Sequence, residues 1–242
     1  MALVSLAAAT APQLMADTVV LYQDAYSAPN GAGSASGGEF SAITLPTSYL
    51  ADYSPLALFN AGGGFGFDTF CVEVGVDFYP GVTYGYTLGQ SLSSPDIPLT
   101  EGAAYLYYEF ATGKLNYDYL NTPASGPGGT DRIQDAGLLQ AAIWEFEGGQ
   151  IWSGDPFTTG NYYYQLALGE FGGSLAAADA ASAGAYGVDV LQLWNPPGSD
   201  VPAQDQLVYV PVPDGGSTVL MLGMGFSLLS LVGLRYRKLP VY

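Results

Sequence analysis

The chain has 242 residues with 22 Asp and Glu against five Lys and Arg, a net charge of −17, no histidine and one cysteine. Such a charge repels phosphate backbones and excludes nucleic-acid binding. The missing histidine removes Ser-His-Asp and Cys-His catalysis and histidine-ligated zinc, and a lone cysteine closes no internal disulfide.

Residues 1–16 are small and apolar, and Leu14-Met15-Ala16 before Asp17 offers a signal-peptidase site. We read this segment as an incomplete signal peptide, since no Lys or Arg precedes the apolar stretch. Pro12 argues against a buried N-terminal helix. Residues 17–210 then form one extracytoplasmic domain by the length prior. A hydrophobic fraction of 49% with acids spread singly describes a packed domain, and the 33 glycines suit the many turns of a β-rich protein.

The fold class expected is α+β: a β-rich single domain with about three helices, followed by one C-terminal transmembrane helix. Residues 18–26 and 40–45 read as early strands, separated by a Gly/Ser/Ala loop over 30–38. From Phe70 the apolar residues alternate through Val72, Val74, Val76 and Phe78, which predicts a strand with Cys71 and Glu73 on its other face. Pro80-Gly81 turns the chain into a partner strand over 82–88. Thr100 caps a helix with the stripe Ala103, Leu106, Tyr107 and Phe110, ended by Gly113. Asp131 and Gln134 have capping-box spacing for a second helix through Phe146, stopped by Gly148-Gly149. A third helical stretch covers 162–181, weakened by Gly172-Gly173, and 188–193 with 206–210 supply closing strands.

Val212-Pro213-Asp214-Gly215-Gly216-Ser217 precedes an uncharged run over 218–234, followed by Arg235, Arg237 and Lys238. Seventeen residues at helical rise cover about 25 Å, the short end of a bilayer core. The basic stub predicts that residue 242 is cytoplasmic and the main domain outside. This order of parts resembles the PEP-CTERM sorting signal, in its VPDSG/VPDGG variant, over residues 211–242. The resemblance implies that an exosortase-type membrane transpeptidase reads and cuts the tail. The protein would thus be anchored in the inner membrane before processing and then reach the envelope surface or extracellular matrix.

Two interior residues stand out. Cys71 is an unpaired thiol in an exported protein, and Gln140 places an amide beside the apolar stripe of the second helix. Phe70-Cys71-Val72-Glu73 and Leu139-Gln140-Ala141-Ala142-Ile143-Trp144 together resemble the Cys and Thr-Gln-x-Ala-x-Trp elements of bacterial surface thioester domains, with Leu139 in place of the threonine. That resemblance implies a Cys71–Gln140 thioester, with Ala142 and Trp144 as supporting packing, and an amine-bearing protein or polymer as the partner. A thioester is a stored acylating group that waits for an amine.

Two other readings compete with it. One is a non-catalytic structural or adhesive protein of the envelope or exopolysaccharide, and the other a hydrolase working through paired acids. Glu145 and Glu147, at i,i+2 on a helix, point apart and read as a solvated face. No cofactor motif and no calcium-loop pattern is present, so no enzyme activity, cofactor or metal is expected.

Overall fold

Six antiparallel strands form one sheet in the computed structural model, which describes residues 17–23, 38–45, 66–120, 126–148 and 160–210. They are β1 (Thr18–Gln23), β2 (Phe40–Leu45), β3 (Gly66–Thr69), β4 (Thr83–Gly89), β5 (Val188–Trp194) and β6 (Gln206–Tyr209). Their order across the sheet is β3-β2-β1-β4-β5-β6. The register runs Val20 opposite Ile43, Phe40 opposite Thr69, Tyr86 opposite Leu193 and Val190 opposite Leu207.

The two outer strands meet. Just after β3, Cys71 bridges Gln206; the Val72 N–H donates to the Asp205 carbonyl at 3.1 Å and the Leu207 N–H to the Phe70 carbonyl at 3.0 Å. The Thr69 hydroxyl adds a bond to the Leu207 carbonyl at 2.6 Å. This short seam links the chain just after β3 to β6, so the Val72 and Leu207 N–H groups and the Phe70 and Asp205 carbonyls find partners within the chain.

Among the described residues four α-helices accompany the sheet: α1 (Glu101–Ala111), α2 (Arg132–Phe146), α3 (Tyr162–Glu170) and α4 (Leu175–Ala178). Each starts on a side-chain cap. Thr100, Asn161 and Ser174 accept from backbone N–H groups of the first turn, and Asp131 with Gln134 completes a reciprocal capping box. Helical residues Leu106, Tyr107, Leu139, Ile143 and Tyr163 share one buried cluster with Phe70, Val72, Val190 and Leu207 of the sheet and seam. The alternate β5 positions Leu191 and Leu193 are also buried, so this strand is covered on both faces.

The mixed α and β organisation agrees with the sequence reading, and β2 covers the expected residues. The strand expected over 70–78 differs: β3 ends at Thr69, and only Cys71 beyond it is bridged. Gly75 takes a φ of +89°, which breaks the extended path, and Val74 on the expected apolar face is 40% exposed. The third helical stretch divides into α3 and α4 at Gly172-Gly173, both left-handed.

No helix among the described residues is long and apolar enough to cross a membrane. The chain separates into one unit up to Tyr209 and another from Val210 to Tyr242. The expected signal peptide, the sorting motif from Val212 to Ser217, the run over 218–234 and the stop residues Arg235, Arg237 and Lys238 all lie outside the described residues.

Candidate functional site

β2 begins its pairing with β3 at Phe40 opposite Thr69, so the backbone two residues further on has no strand on that side among the described residues. The bonds across the seam to β6 are made by Phe70 and Val72, which leaves the N–H and carbonyl of Cys71 pointing the other way. Buried backbone groups must be paired. Gln140, in the middle of α2, does this: its Oε1 accepts from the Cys71 N–H at 3.1 Å and its Nε2 donates to the Cys71 carbonyl at 2.7 Å. The carboxamide stands in for one peptide of a missing strand.

The same arrangement sets the thiol against the amide. Cys71 Sγ lies 3.1 Å from Gln140 Oε1, and both residues are 1% exposed. Trp144, one helical turn after Gln140, packs with Cys71 and Phe40, and Phe78 meets Phe40 edge to face at 4.8 Å. Ala142 points elsewhere, into the main core. The structure thus brings Cys71, Gln140 and Trp144 together and puts Ala142 behind them. The amide of Gln140, beside the apolar stripe of α2, is thus buried completely.

Burial pushes the Cys71 thiol well above its ordinary range; a backbone hydrogen bond opposes this, and the charges of Glu73 and Asp77 add to it. The sulfur is therefore a neutral thiol. What the geometry provides is on the acceptor side, because the Cys71 N–H already points at the oxygen that would gain charge if the carboxamide carbon were attacked. Two polar atoms nearby lack hydrogen-bond partners among the described residues: Trp144 Nε1 and Oε1 of Gln206, the bridge partner of Cys71. No group of His, Cys, Asp and Glu among the described residues could hold a metal ion.

Comparison with protein-family models, with curated proteins and with solved structures gives no match to this chain.

Sequence reading missed the acids that brace the site. Glu73 Oε2 accepts from the Asp205 N–H at 3.0 Å, and Gln204 Nε2 donates to the Glu73 carbonyl at 3.1 Å, which extends the seam by two residues. Asp205 in turn accepts from the Ser93 N–H and hydroxyl at 2.6 and 3.0 Å and from the Leu193 N–H at 2.9 Å. A Glu two residues from a strand cysteine carries no local signal for a partner 132 residues away.

Glu147 also departs from the solvated face expected of it. Its Oε1 accepts from the N–H and hydroxyl of Thr100 at 3.0 and 2.8 Å, tying the end of α2 to the start of α1. The physical reason is the unpaired N–H donor at the head of α1, for which a carboxylate supplies the acceptor.

Burial raises the carboxyls of both Glu73 and Glu147 to about 7, against the hydrogen bonds that each accepts. The folded chain then holds protons that the unfolded chain releases above about 4.5. Stability from these groups is full below that pH, falls as pH rises, and levels off above about 7. We expect the melting temperature to drop on the order of 5 °C between pH 5 and pH 8. Thermal unfolding across that range checks this: Glu147→Gln should flatten the curve, and a rise toward pH 8 would contradict the assignment.

Proposed function

We propose that the chain is an exported cell-surface or extracellular-matrix protein that uses an internal Cys71–Gln140 thioester to attach covalently to amine-bearing partners. The observation that carries this reading is the 3.1 Å contact between Cys71 Sγ and Gln140 Oε1 inside a fully buried pocket. The carbonyl carbon lies only about 1.2 Å from that oxygen. Sulfur attack on it forms the S–C bond and breaks the C–Nε2 bond, and the thiol proton leaves with the nitrogen as ammonia. An incoming primary amine then takes the acyl group, gives a stable amide and returns the thiol. The Cys71 N–H stabilises the oxyanion in both steps.

Export and sorting belong to the same proposal. The motif from Val212 to Ser217, the uncharged run after it and the basic stub fit a tail read by an exosortase-type transpeptidase, with membrane anchoring until the cut. A matrix-bound acylating domain has use for a release step that leaves it facing its target.

A second reading, a structural or adhesive surface protein without the bond, is favoured by the two-point pairing of the Gln140 amide with the Cys71 backbone. In that reading the glutamine serves the fold alone. Intact mass separates the two. With the thioester, protein from its native secretion route is lighter than its sequence by one ammonia and shows no thiol. Methylamine then adds to its mass and exposes one thiol. Full mass from the outset would leave the structural reading.

A further inference from the structure

Helix α1, the end of α3, the 3-10 turn Ala185–Gly187 and strand β6 each bring an aromatic ring to one stretch of surface. Tyr105 meets Tyr186 at 5.7 Å and Phe171 at 6.2 Å, while Tyr108 meets Tyr186 at 5.6 Å and Tyr209 at 5.8 Å. All five rings are partly exposed, unlike the buried tyrosines Tyr107 and Tyr163 beneath them. Tyr186 holds a φ of +61°, a left-handed backbone that a tyrosine rarely adopts, and this places its ring between Tyr105 and Tyr108.

The rings carry a negative surround. Glu109 and Glu170 act electrostatically on Tyr105, and Glu101, Glu170 and Glu109 act on Tyr186. The face of Tyr108 already receives a cation: the Lys114 ammonium stands 4.2 Å from its ring centre and donates to its hydroxyl. An aromatic face flanked by carboxylates attracts an ammonium group through both the ring quadrupole and simple charge.

We infer that this strip is a docking surface for a lysine-bearing, cationic polymer segment, its ammonium groups seated on Tyr105, Tyr108 and Tyr186 between Glu101, Glu109 and Glu170. The three acids give a cationic segment a charge attraction that a neutral glycan does not gain, and Lys114 displays the binding mode within the chain itself. The strip shares no residue with the Cys71–Gln140 pair and stands whether or not the thioester forms.

Fluorescence anisotropy of labelled decalysine with the full-length chain at about 0.15 M salt tests it, because long-range attraction to the net charge is then largely screened. Tyr186→Gly removes the ring and suits the left-handed backbone, so folding is retained. It should weaken decalysine binding about tenfold, as should Glu109→Gln combined with Glu170→Gln. The exposed acids Asp17 and Asp200 provide the control: Asp17→Asn with Asp200→Asn should change affinity less than about twofold. Lys114→Ala, which vacates Tyr108, should strengthen binding, and Cys71→Ser should leave it unchanged. The inference is overturned if the strip variants bind decalysine as well as the Asp17/Asp200 control does, or if a neutral glucan oligosaccharide binds the strip in preference to decalysine.

Discussion

Gln140→Leu is expected to destabilise the protein by about 2–4 kcal/mol and to abolish any ammonia-deficient mass. Leucine fills a similar volume but leaves both the N–H and the carbonyl of Cys71 buried without partners, at about 1–3 kcal/mol for each group. Gln140→Glu separates the amide's two roles. A protonated glutamate still accepts from the Cys71 N–H and donates to its carbonyl, yet it has no ammonia to lose. Because the pocket favours the neutral acid, this variant should approach wild-type stability at low pH and weaken as pH rises, with full mass throughout. Chemical denaturation at pH 5 and pH 8 with intact-mass measurement reads both effects. If Gln140→Leu unfolds at the wild-type midpoint, the strand-surrogate role is wrong.

Local signals translated directly into structure, and distant ones did not. Thr100, Asp131 and Gln134 were readable as caps because each bonds within its own first turn, and the glycines at 172 and 173 marked a break that the backbone makes. The alternation after Phe70 predicted a strand, but ladder pairing depends on a neighbour. The neighbour here is β6, over a hundred residues on, and Gly75 ends the extension before the pattern does. Glu147 was misread for a related reason, since its partner Thr100 lies on another helix and spacing on α2 says nothing of it. Cys71 and Gln140 were conspicuous as an unpaired thiol and a stranded amide. Their contact bridges 69 residues, and in the sequence only the family resemblance links them. The aromatic strip was invisible in the sequence because it gathers rings from four elements.

Arg132→Met should cost about 3–5 kcal/mol and lower the melting temperature by about 10 °C. Arg132 opens α2, and its guanidinium faces Glu39, just before β2, and Asp68 of β3. Its Nε donates to Glu39 Oε2 at 3.0 Å, its second terminal nitrogen also bonds Glu39 and lies 3.4 Å from Asp68 Oδ2, and its first donates to the Tyr119 carbonyl at 2.6 Å. Tyr117 adds a hydroxyl donor to Glu39 at 2.6 Å. The Glu39 side chain is wholly buried and that of Arg132 is 13% exposed, so removing the cation strands a desolvated carboxylate beside a second acid. A methionine of similar length keeps the packing, so the loss is that of the charge and of the hydrogen bonds to Glu39 and the Tyr119 carbonyl. Glu39→Gln on the Arg132→Met background should therefore recover much of the stability, because it removes the charge left without its cation. A loss under about 1 kcal/mol, or one that shrinks markedly in high salt, would mean that the pair behaves as a surface ion pair instead. The same helix carries Gln140 two turns further on, so the ion pair fixes α2 against β2 and β3 where the amide must meet Cys71. Thioester yield, read from intact mass, should fall in Arg132→Met and return with Glu39→Gln.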